Sequence, residues 1–349
     1  MPNDRDLLAG ALIPQNMAFG VIAMAAYRPN MDLFRRQIES IKLQTHENFL
    51  CLISADGGSA ALESELARIV GRDPRFKVLG FDERLGFYGN FERVLRNVPS
   101  AAEWVALSDQ DDYWYPNKIE RLVSELVAYP LVASQARVVE HPSGLVLSQR
   151  TRRNTVRPQS YFVENQFTGG TMVFRRNVLD VALPFPRFDS PSEVHDHWIA
   201  VCASSEGQCI VIDDVLQDYV QHGENVLGEA KEGFSLWRSC TNLLAISQKT
   251  RGSSSVRNLF RTIYDVGAGW REVMADELGK RAPNLDGDIA VAVRIFGSGR
   301  ERWRTYWSVF GGWRSGEITV RAALEYIIGD AAVSFGRIVM RPAWTRGRQ

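Results

Sequence analysis

The first 130 residues alternate between short, continuously apolar segments and amphipathic helical segments. Residues 17–29 form a run of small apolar residues that ends at Pro29, and residues 75–81 form another apolar run. Strands that are apolar at consecutive positions are buried on both faces, as in parallel sheets covered by helices. Segments between them, such as 31–44, carry apolar residues at helical spacing. The alternation predicts an α/β domain with a Rossmann-like, mostly parallel sheet flanked by helices.

The pattern changes near residue 130. Short strands are predicted near 131–138, 145–149 and 170–175, with helices near 176–182 and 196–205. Beyond Gly228 the strand signals fade, and helices are predicted near 234–248, 255–280, 287–310 and 316–340. We therefore expect an N-terminal extension over 1–16, an α/β domain over 17–228 and a helical C-terminal region over 229–349.

Composition excludes several classes of protein. The chain has 349 residues, a formal net charge of zero and 45% hydrophobic residues, which argues against a surface adapted to nucleic acid. No uninterrupted apolar run is long enough to span a bilayer, and the N-terminus lacks the basic start of a signal peptide. The four cysteines, Cys51, Cys202, Cys209 and Cys240, have no CxxC spacing and are predicted to be reduced core thiols. A cytoplasmic location is expected.

The C-terminal segment is basic. From Arg294 to Gln349 there are ten arginines and no lysine against four acids. An arginine-bearing amphipathic helix in this region would suit peripheral contact with the anionic inner face of the membrane. The alternative, which is slightly favoured, is the solvated surface of a helical bundle or a dimer. The sequence leaves the oligomeric state open.

Three acids follow the predicted strand at 103–108. Asp109, Asp111 and Asp112 repel one another unless hydrogen bonds, protonation or a cation offset their charge. In an extended segment Asp109 and Asp111 point the same way and could share a Mg²⁺ or Mn²⁺ ion that also binds substrate phosphates. The alternative is a solvated acidic turn in which Asp112 caps the following helix.

The segment SDQDDYWYPNKIERL strongly resembles the D-x-D segment of family 2 glycosyltransferases. These are GT-A enzymes that move a sugar from a nucleotide diphosphate to an acceptor hydroxyl. The resemblance continues, in the family's order and over about residues 17–228, through AAYRPN, RLGFYGNFERVL, GGTMVFRR, HDHW and YVQHGENVLG. The chain is most similar to a subset that includes bacterial rhamnosyltransferase-type enzymes of surface polysaccharide assembly.

This resemblance implies an inverting enzyme with a UDP-, dTDP- or GDP-linked sugar donor and a glycan or lipid-linked acceptor. By position, Asp196 in HDHW matches the catalytic base that removes the acceptor proton. Asp109 and Asp111 match the metal-binding acids, and His222 is a further candidate ligand that would favour Mn²⁺ over Mg²⁺. The residues matched to the nucleotide side are Ala26, Tyr27, Asp56, Arg84, Asn90, Asp109 and Gln110.

Each of these residues also has a structural interpretation. Asp196 could cap a helix, Asp56 could belong to a turn, and His222 could be a phosphate contact or an ordinary loop residue. Ala55 stands where the family often has an acid, and Gly58 is an extra residue, which leaves the nucleotide base open. His195 and His197 would point to different sides of a helix, so no metal is assigned to them.

Two other functions fit the sequence less well. A non-catalytic nucleotide-sugar or glycan-binding module would keep this fold, but simple binding has no use for an acceptor base such as Asp196. A dinucleotide oxidoreductase is disfavoured because no G-x-G-x-x-G follows the first predicted strand.

Overall fold

A computed structural model of the chain describes residues 18–81, 83–188, 190, 193–222, 247–248, 255–299 and 301–339. Contacts divide the chain into two compact units. The first comprises residues 1–155, 166–185 and 195–229, and the second comprises residues 156–165, 186–194 and 230–349.

The described strands of the first unit form one nine-stranded sheet. They are β1 (Gly20–Ala26), β2 (Phe49–Asp56), β3 (Phe76–Phe81), β4 (Trp104–Ser108), β5 (Tyr113–Trp114), β6 (Leu131–Glu140), β7 (Val146–Ser148), β8 (Met172–Arg175) and β9 (Ile210–Gln221). The order is β3-β2-β1-β4-β8-β6-β9-β5, with β7 paired to β6. The first four strands in this order are parallel, whereas β8 runs antiparallel to both of its neighbours. The predicted α/β fold is confirmed, and the sheet is mixed beyond β4.

The first unit also contains the helices α1 (Met31–Lys42), α2 (Ser59–Val70), α3 (Gly86–Leu95), α4 (Lys118–Glu125), α6 (Val178–Ala182) and α7 (His195–Ala203). Helix α1 begins at Asn30, whose side chain accepts hydrogen bonds from the Asp32 and Leu33 amides. Its residues Phe34, Ile38 and Ile41 are buried in the core cluster against the strands.

One glycine shows how tightly this core is packed. A Cβ atom added at Gly20 would lie 2.0 Å from the indole ring of Trp104, so only glycine lets β1 and this ring coexist. The Trp104 indole donates a hydrogen bond to the Ala18 carbonyl at 3.0 Å. The amino-terminal ends of β1 and β4 are thereby held together.

The second unit is helical among its described residues. Its helices are α5 (Pro158–Val163), α8 (Val256–Tyr264), α9 (Trp270–Arg281), α10 (Gly287–Phe296), α11 (Arg302–Arg314) and α12 (Val320–Val339), and a π-helical turn, Asp265–Gly269, joins α8 to α9. The single helix predicted over 287–310 is two helices, because Gly297, Ser298 and Gly299 separate α10 from α11. The helix predicted over 234–248 lies almost entirely outside the described residues.

The described thiols Cys51, Cys202 and Cys209 are free and buried, and Cys240 lies outside the described residues. None of the helices in the described part of the chain has the length and apolarity required to cross a membrane.

Candidate functional site

The carboxyl ends of β1, β2 and β4 lie side by side in the sheet. Ala26 at the end of β1 is in register with Ala55 of β2, and Met24 of β1 is in register with Ser108 of β4. Ligands of open α/β sheets bind beyond such strand ends. The predicted nucleotide and metal segments therefore begin at one edge of the sheet.

Gln110 joins the loop after β4 to the loop after β1. Its side-chain oxygen accepts a hydrogen bond from the Tyr27 amide at 2.8 Å, and its side-chain nitrogen donates to the Tyr27 carbonyl at 3.2 Å. The Tyr27 ring is covered by the exposed Arg84 guanidinium, whose carbon lies 4.1 Å from the ring centroid. Arg28, beside it, has a positive φ of 41°, a conformation that costs a non-glycine residue about 1 kcal/mol. Gln110 thus fixes the Tyr27 backbone. The Tyr27 ring and the Arg84 side chain form the solvent-facing side of this part of the site.

Asp56 and Asn90 are buried and bonded to other parts of the protein. The Asp56 carboxylate accepts hydrogen bonds from the Leu85 and Gly86 amides at 2.7 and 2.9 Å. Asn90 donates to the Ala26 and Ser54 carbonyls. These bonds attach the start of α3 to the ends of β1 and β2.

Arg93 completes this network, and the sequence analysis missed it. Its guanidinium lies 3.2 Å from the Asp56 carboxylate and donates to the Ser54 hydroxyl, the Ala55 carbonyl and the Asn90 side chain. Arg93 is 9% exposed. The only signal available in the sequence was its place among the apolar residues of α3, where arginine is seldom buried without a partner.

Asp112 is the most buried of the three acids that follow β4. Asp112 is 1% exposed, and its carboxylate accepts hydrogen bonds from the Val220 amide and the Gln217 side chain. The alternative in which Asp112 caps the next helix is wrong, because α4 begins after Asn117 and its cap makes no side-chain bond. Burial, followed by repulsion from Asp109 and Asp111, raises the pKa of Asp112 well above its usual value.

Lys118 is the buried cation of this region, and the sequence analysis did not single it out. Its ammonium group donates to the Gly170 carbonyl and to the Gln217 side chain, and it lies 3.6 Å from the centroid of the Trp114 ring. Burial lowers the pKa of Lys118, and the Asp112 and Asp109 carboxylates oppose that change. The lysine follows the acids by only a few residues, which was the signal available in the sequence.

The predicted metal ligands are partly brought together. A carboxylate oxygen of Asp111 lies 2.8 Å from Nε2 of His222, although the two residues are far apart in the chain. Burial, then the charges of Asp111 and Asp196, raises the pKa of Asp109 to about 7. Within the described ranges no group of three His, Cys, Asp or Glu side chains is arranged to hold a metal ion. The donor types nevertheless suit Mn²⁺ or Mg²⁺, since carboxylates bind both ions and imidazole suits Mn²⁺.

Asp196 lies in the first turn of α7 and is 8% exposed. One oxygen of its carboxylate accepts a hydrogen bond from the Gly169 amide at 3.0 Å, and the other accepts from the His197 amide at 2.6 Å. Its charge also acts on Asp109, so the two carboxylates lie within electrostatic range of each other. The fold therefore brings the predicted base and a predicted metal ligand into one region.

Gly170 leaves room for two of the acids. A Cβ atom at this position would lie 2.9 Å from a carboxylate oxygen of Asp112 and 3.5 Å from one of Asp109.

The neighbouring His195 ring stacks on Phe91 with centroids 3.8 Å apart. Neither ring nitrogen of His195 has a hydrogen-bond partner among the residues that the structure describes, and burial lowers its pKa to about 3.

Comparison with known proteins assigns part of this chain to a family. Residues 22–180 match the model of glycosyl transferase family 2. Among solved structures, S. aureus TarS 1-349 in complex with UDP-GlcNAc superposes with a TM-score of 0.52 at 16% identity, covering 93% of this chain and 82% of that one. The same fragment in complex with UDP gives 0.50 at 14% identity, covering 91% and 81%. At these identities the likeness shows a shared fold. No curated protein matches the sequence significantly.

Proposed function

Because residues 22–180 are a family 2 glycosyltransferase domain of GT-A fold, we propose that the protein transfers a sugar from a nucleotide diphosphate sugar to an acceptor hydroxyl. The observation that carries this proposal is that two adjacent glycines contact both acids. The Gly169 amide donates to the carboxylate of Asp196, at the start of α7, and a Cβ atom at Gly170 would lie 3.5 Å from a carboxylate oxygen of Asp109, in the D-x-D segment. The two acids come from separate motifs. Sugar transfer needs both a site for the diphosphate leaving group and a nearby base.

The donor nucleotide is proposed to lie beyond the ends of β1, β2 and β4. Tyr27 and the exposed Arg84 would contact it directly. Other residues would support the nucleotide site indirectly, since their described hydrogen bonds fix the loops that carry Tyr27 and Gly86. These residues are Ala26, Asp56, Asn90 and Gln110. TarS was solved with UDP-GlcNAc and UDP, which makes a uridine nucleotide one candidate beside dTDP- and GDP-linked donors.

A Mn²⁺ or Mg²⁺ ion fits the acids of this site, and Asp109, Asp111 and His222 would hold it. Burial raises the pKa of Asp109, and the charges of Asp111 and Asp196 raise it further; a divalent cation bound to these carboxylates would stabilise their ionised forms. When bound, such an ion acts as a Lewis acid that stabilises the departing diphosphate.

Asp196 is proposed as the base that takes the acceptor proton while the hydroxyl attacks the anomeric carbon, with inversion. Its bonds to the Gly169 and His197 amides fix both carboxylate oxygens. A fixed orientation is what proton transfer in the transition state requires.

The proposed acceptor is a glycan or a lipid-linked glycan, and the proposed process is the synthesis of a bacterial surface polysaccharide on the cytoplasmic side, at or near the membrane. A hexose or a deoxyhexose such as rhamnose is the proposed transferred sugar. This part of the proposal derives from the similarity of the sequence to rhamnosyltransferase-type enzymes.

A non-catalytic nucleotide-sugar or glycan-binding module is the second candidate. It is favoured by one observation: the two backbone bonds that Asp196 accepts are also those of a purely structural acid. A screen of UDP-, dTDP- and GDP-sugars with and without Mn²⁺ by thermal shift would identify the donor, because binding to the native state raises the melting temperature.

Asp196→Asn is the experiment that decides between enzyme and binding module. The amide oxygen of asparagine can accept only one of the two backbone bonds, and the side chain cannot take a proton, so we expect nearly unchanged donor affinity and at least a hundredfold loss of transfer rate. Transfer from the donor found in the screen is the measurement, with Asp180→Asn, an exposed acid outside the site, as control. Wild-type turnover in Asp196→Asn would remove Asp196 from this role.

Asp111→Ala tests the metal assignment. Loss of this carboxylate should weaken Mn²⁺-dependent donor binding at least tenfold, as seen by calorimetry with and without chelator. Asp213→Ala, which removes a carboxylate that is 87% exposed, is the matched control. Equal donor affinity in Asp111→Ala and wild type would refute the assignment.

A further inference from the structure

Helix α11 has its tryptophan and phenylalanine side chains on the outer face. Thr305, Val309 and Gly312 are its buried residues. Trp303 and Trp307, on the opposite side of the helix, are 59% and 66% exposed. Surface helices of globular proteins normally pack their apolar stripe inward and expose polar residues. This helix reverses that arrangement.

Three of the exposed aromatic residues form a connected set. The rings of Trp307 and Phe310 have centroids 6.0 Å apart, and those of Phe310 and Trp313 are 5.5 Å apart. Phe310 is 43% exposed and Trp313 is 44% exposed. Exposed apolar patches of this kind mark sites of protein or membrane contact more often than ordinary surface.

The charges on α11 have one sign. The helix contains three arginines, Arg302, Arg304 and Arg314, and no acid. Arg304 and Arg314 are exposed. The Arg304 guanidinium lies 3.0 Å from the carboxylate of Glu301, the residue just before the helix, and 5.3 Å from the ring centroid of Trp303. Tryptophan rings favour the level of lipid headgroups, where arginine can extend its charge to anionic phosphates.

We propose that the outer face of α11, formed by Trp303, Trp307, Phe310, Arg304 and Arg314, docks on the surface of an anionic lipid bilayer. The tryptophan and phenylalanine rings enter the headgroup region and the arginines pair with lipid phosphates. A second copy of the chain fits this face less well, because a self-contact would bring the arginines of both copies together, and Glu301, the acid beside Arg304, already pairs with that arginine in its own chain. The inference assigns a surface to the membrane contact suggested above and does not depend on which sugar is transferred.

Vesicle flotation with the full chain tests the proposal. We expect binding to phosphatidylglycerol-containing vesicles and little binding to pure phosphatidylcholine. Combined Trp303→Ser, Trp307→Ser and Phe310→Ser should reduce the bound fraction at least tenfold. The control combines Leu43→Ser and Val127→Ser, which remove exposed apolar side chains of the first unit that are 67% and 89% exposed, and it should bind like wild type.

Arg304→Gln with Arg314→Gln tests the electrostatic part. Each arginine removed should weaken binding to anionic vesicles roughly fivefold at low salt, and the salt dependence should shrink. This variant also leaves the aromatic face intact, so it keeps the test valid if the serine variant fails to fold.

Three outcomes would overturn the proposal: no binding of the wild type to anionic vesicles, equal binding by wild type and the serine variant, or a concentration-dependent dimer that the serine variant abolishes. The thermal shift with nucleotide sugar is measured on the same variants. Loss of vesicle binding with an unchanged donor shift separates this surface from the donor site. A wild type that shows the donor shift but no vesicle binding would refute the membrane contact alone.

Discussion

The ammonium group of Lys118 is buried against the Trp114 ring, and Asp109 and Asp112 act on it electrostatically. Asp111 contacts His222 on another side of this region. Burial is the main reason why the pKa values of Asp109 and Asp112 rise, and repulsion from neighbouring carboxylates, which Lys118 opposes, raises them further. This local negative charge would favour binding of a divalent cation.

His195 provides a pH-dependent test at the residue scale. Burial lowers its pKa to about 3, whereas the ordinary value near 6.5 applies when the chain is unfolded. As the pH falls below 6.5 the unfolded state takes up a proton that the native state refuses, so stability is lost. Between pH 6.5 and 5 the free energy of unfolding of the wild type should fall by about 1 kcal/mol more per pH unit than that of His195→Met.

Urea denaturation at several pH values measures this difference. His46, whose pKa burial also lowers, is present in both proteins, so its contribution cancels in the comparison. Parallel stability curves for wild type and His195→Met would contradict the burial of a neutral imidazole.

At the scale of elements, two glycines allow α12 to pack closely against the π-helical turn of the second unit. A Cβ atom added at Gly329 of α12 would lie 2.6 Å from Cα of Gly267, in the π-helical turn, and 2.9 Å from the Ala268 nitrogen. These are backbone atoms, which cannot move aside as a flexible side chain would. The two elements therefore pack at a distance that only glycine permits.

Gly329→Ala should force these elements apart and lower the free energy of unfolding by about 1–3 kcal/mol. Gly311→Ala is the matched control, because Gly311 lies within α11 and, among the described residues, no atom outside the local helix backbone lies within 4 Å of the added methyl group. Alanine there should raise stability by up to about 1 kcal/mol. Chemical denaturation compares the two variants, and a Gly329→Ala protein as stable as Gly311→Ala would contradict the close packing.

At the scale of the whole molecule, the second unit is discontinuous in sequence. Helix α5, from residues 158–163, packs with the C-terminal helices: the Phe162 ring stacks with Phe296 at 5.3 Å between centroids, and the Arg271 guanidinium donates to the Val163 carbonyl. The Thr319 amide donates to Glu164, just after α5. Chain connectivity alone would place α5 with the sheet.

A chain truncated after residue 229 tests this division into two units. The shortened chain keeps α5 but loses Phe296, Arg271 and Thr319, so the buried Tyr161 and Phe162 side chains would be exposed to water. We expect a lower melting temperature and a lower soluble yield than those of the full chain, measured by calorimetry and by centrifugation. A truncation after residue 339 is the control. If the chain ending at 229 melts like the full chain, α5 is not stabilised by the C-terminal helices, and the predicted boundary at residue 228 would also describe a folding unit.

Local patterns predicted the first half of the fold well. The residues that make β1, β2 and α1 apolar or amphipathic lie within single elements, so their periodicity is visible in the sequence. The long strand β9 was not predicted, although its partner β6 was. Its pairing with β6 and β5 depends on contacts between distant segments, and a local sequence pattern does not predict such contacts.

The sequence by itself determined that an α/β domain is followed by helices, and that acids stand at the end of the fourth strand. Its motifs, taken in order, also indicated a likeness to family 2 glycosyltransferases, whose family model matches residues 22–180. Only the tertiary structure decided that Asp112 accepts bonds from β9, that Lys118 is buried beside it, and that Arg93 bonds to Asp56. The physical reason is that burial and pKa are properties of the surroundings of a group, and those surroundings come from segments that meet only when the chain folds.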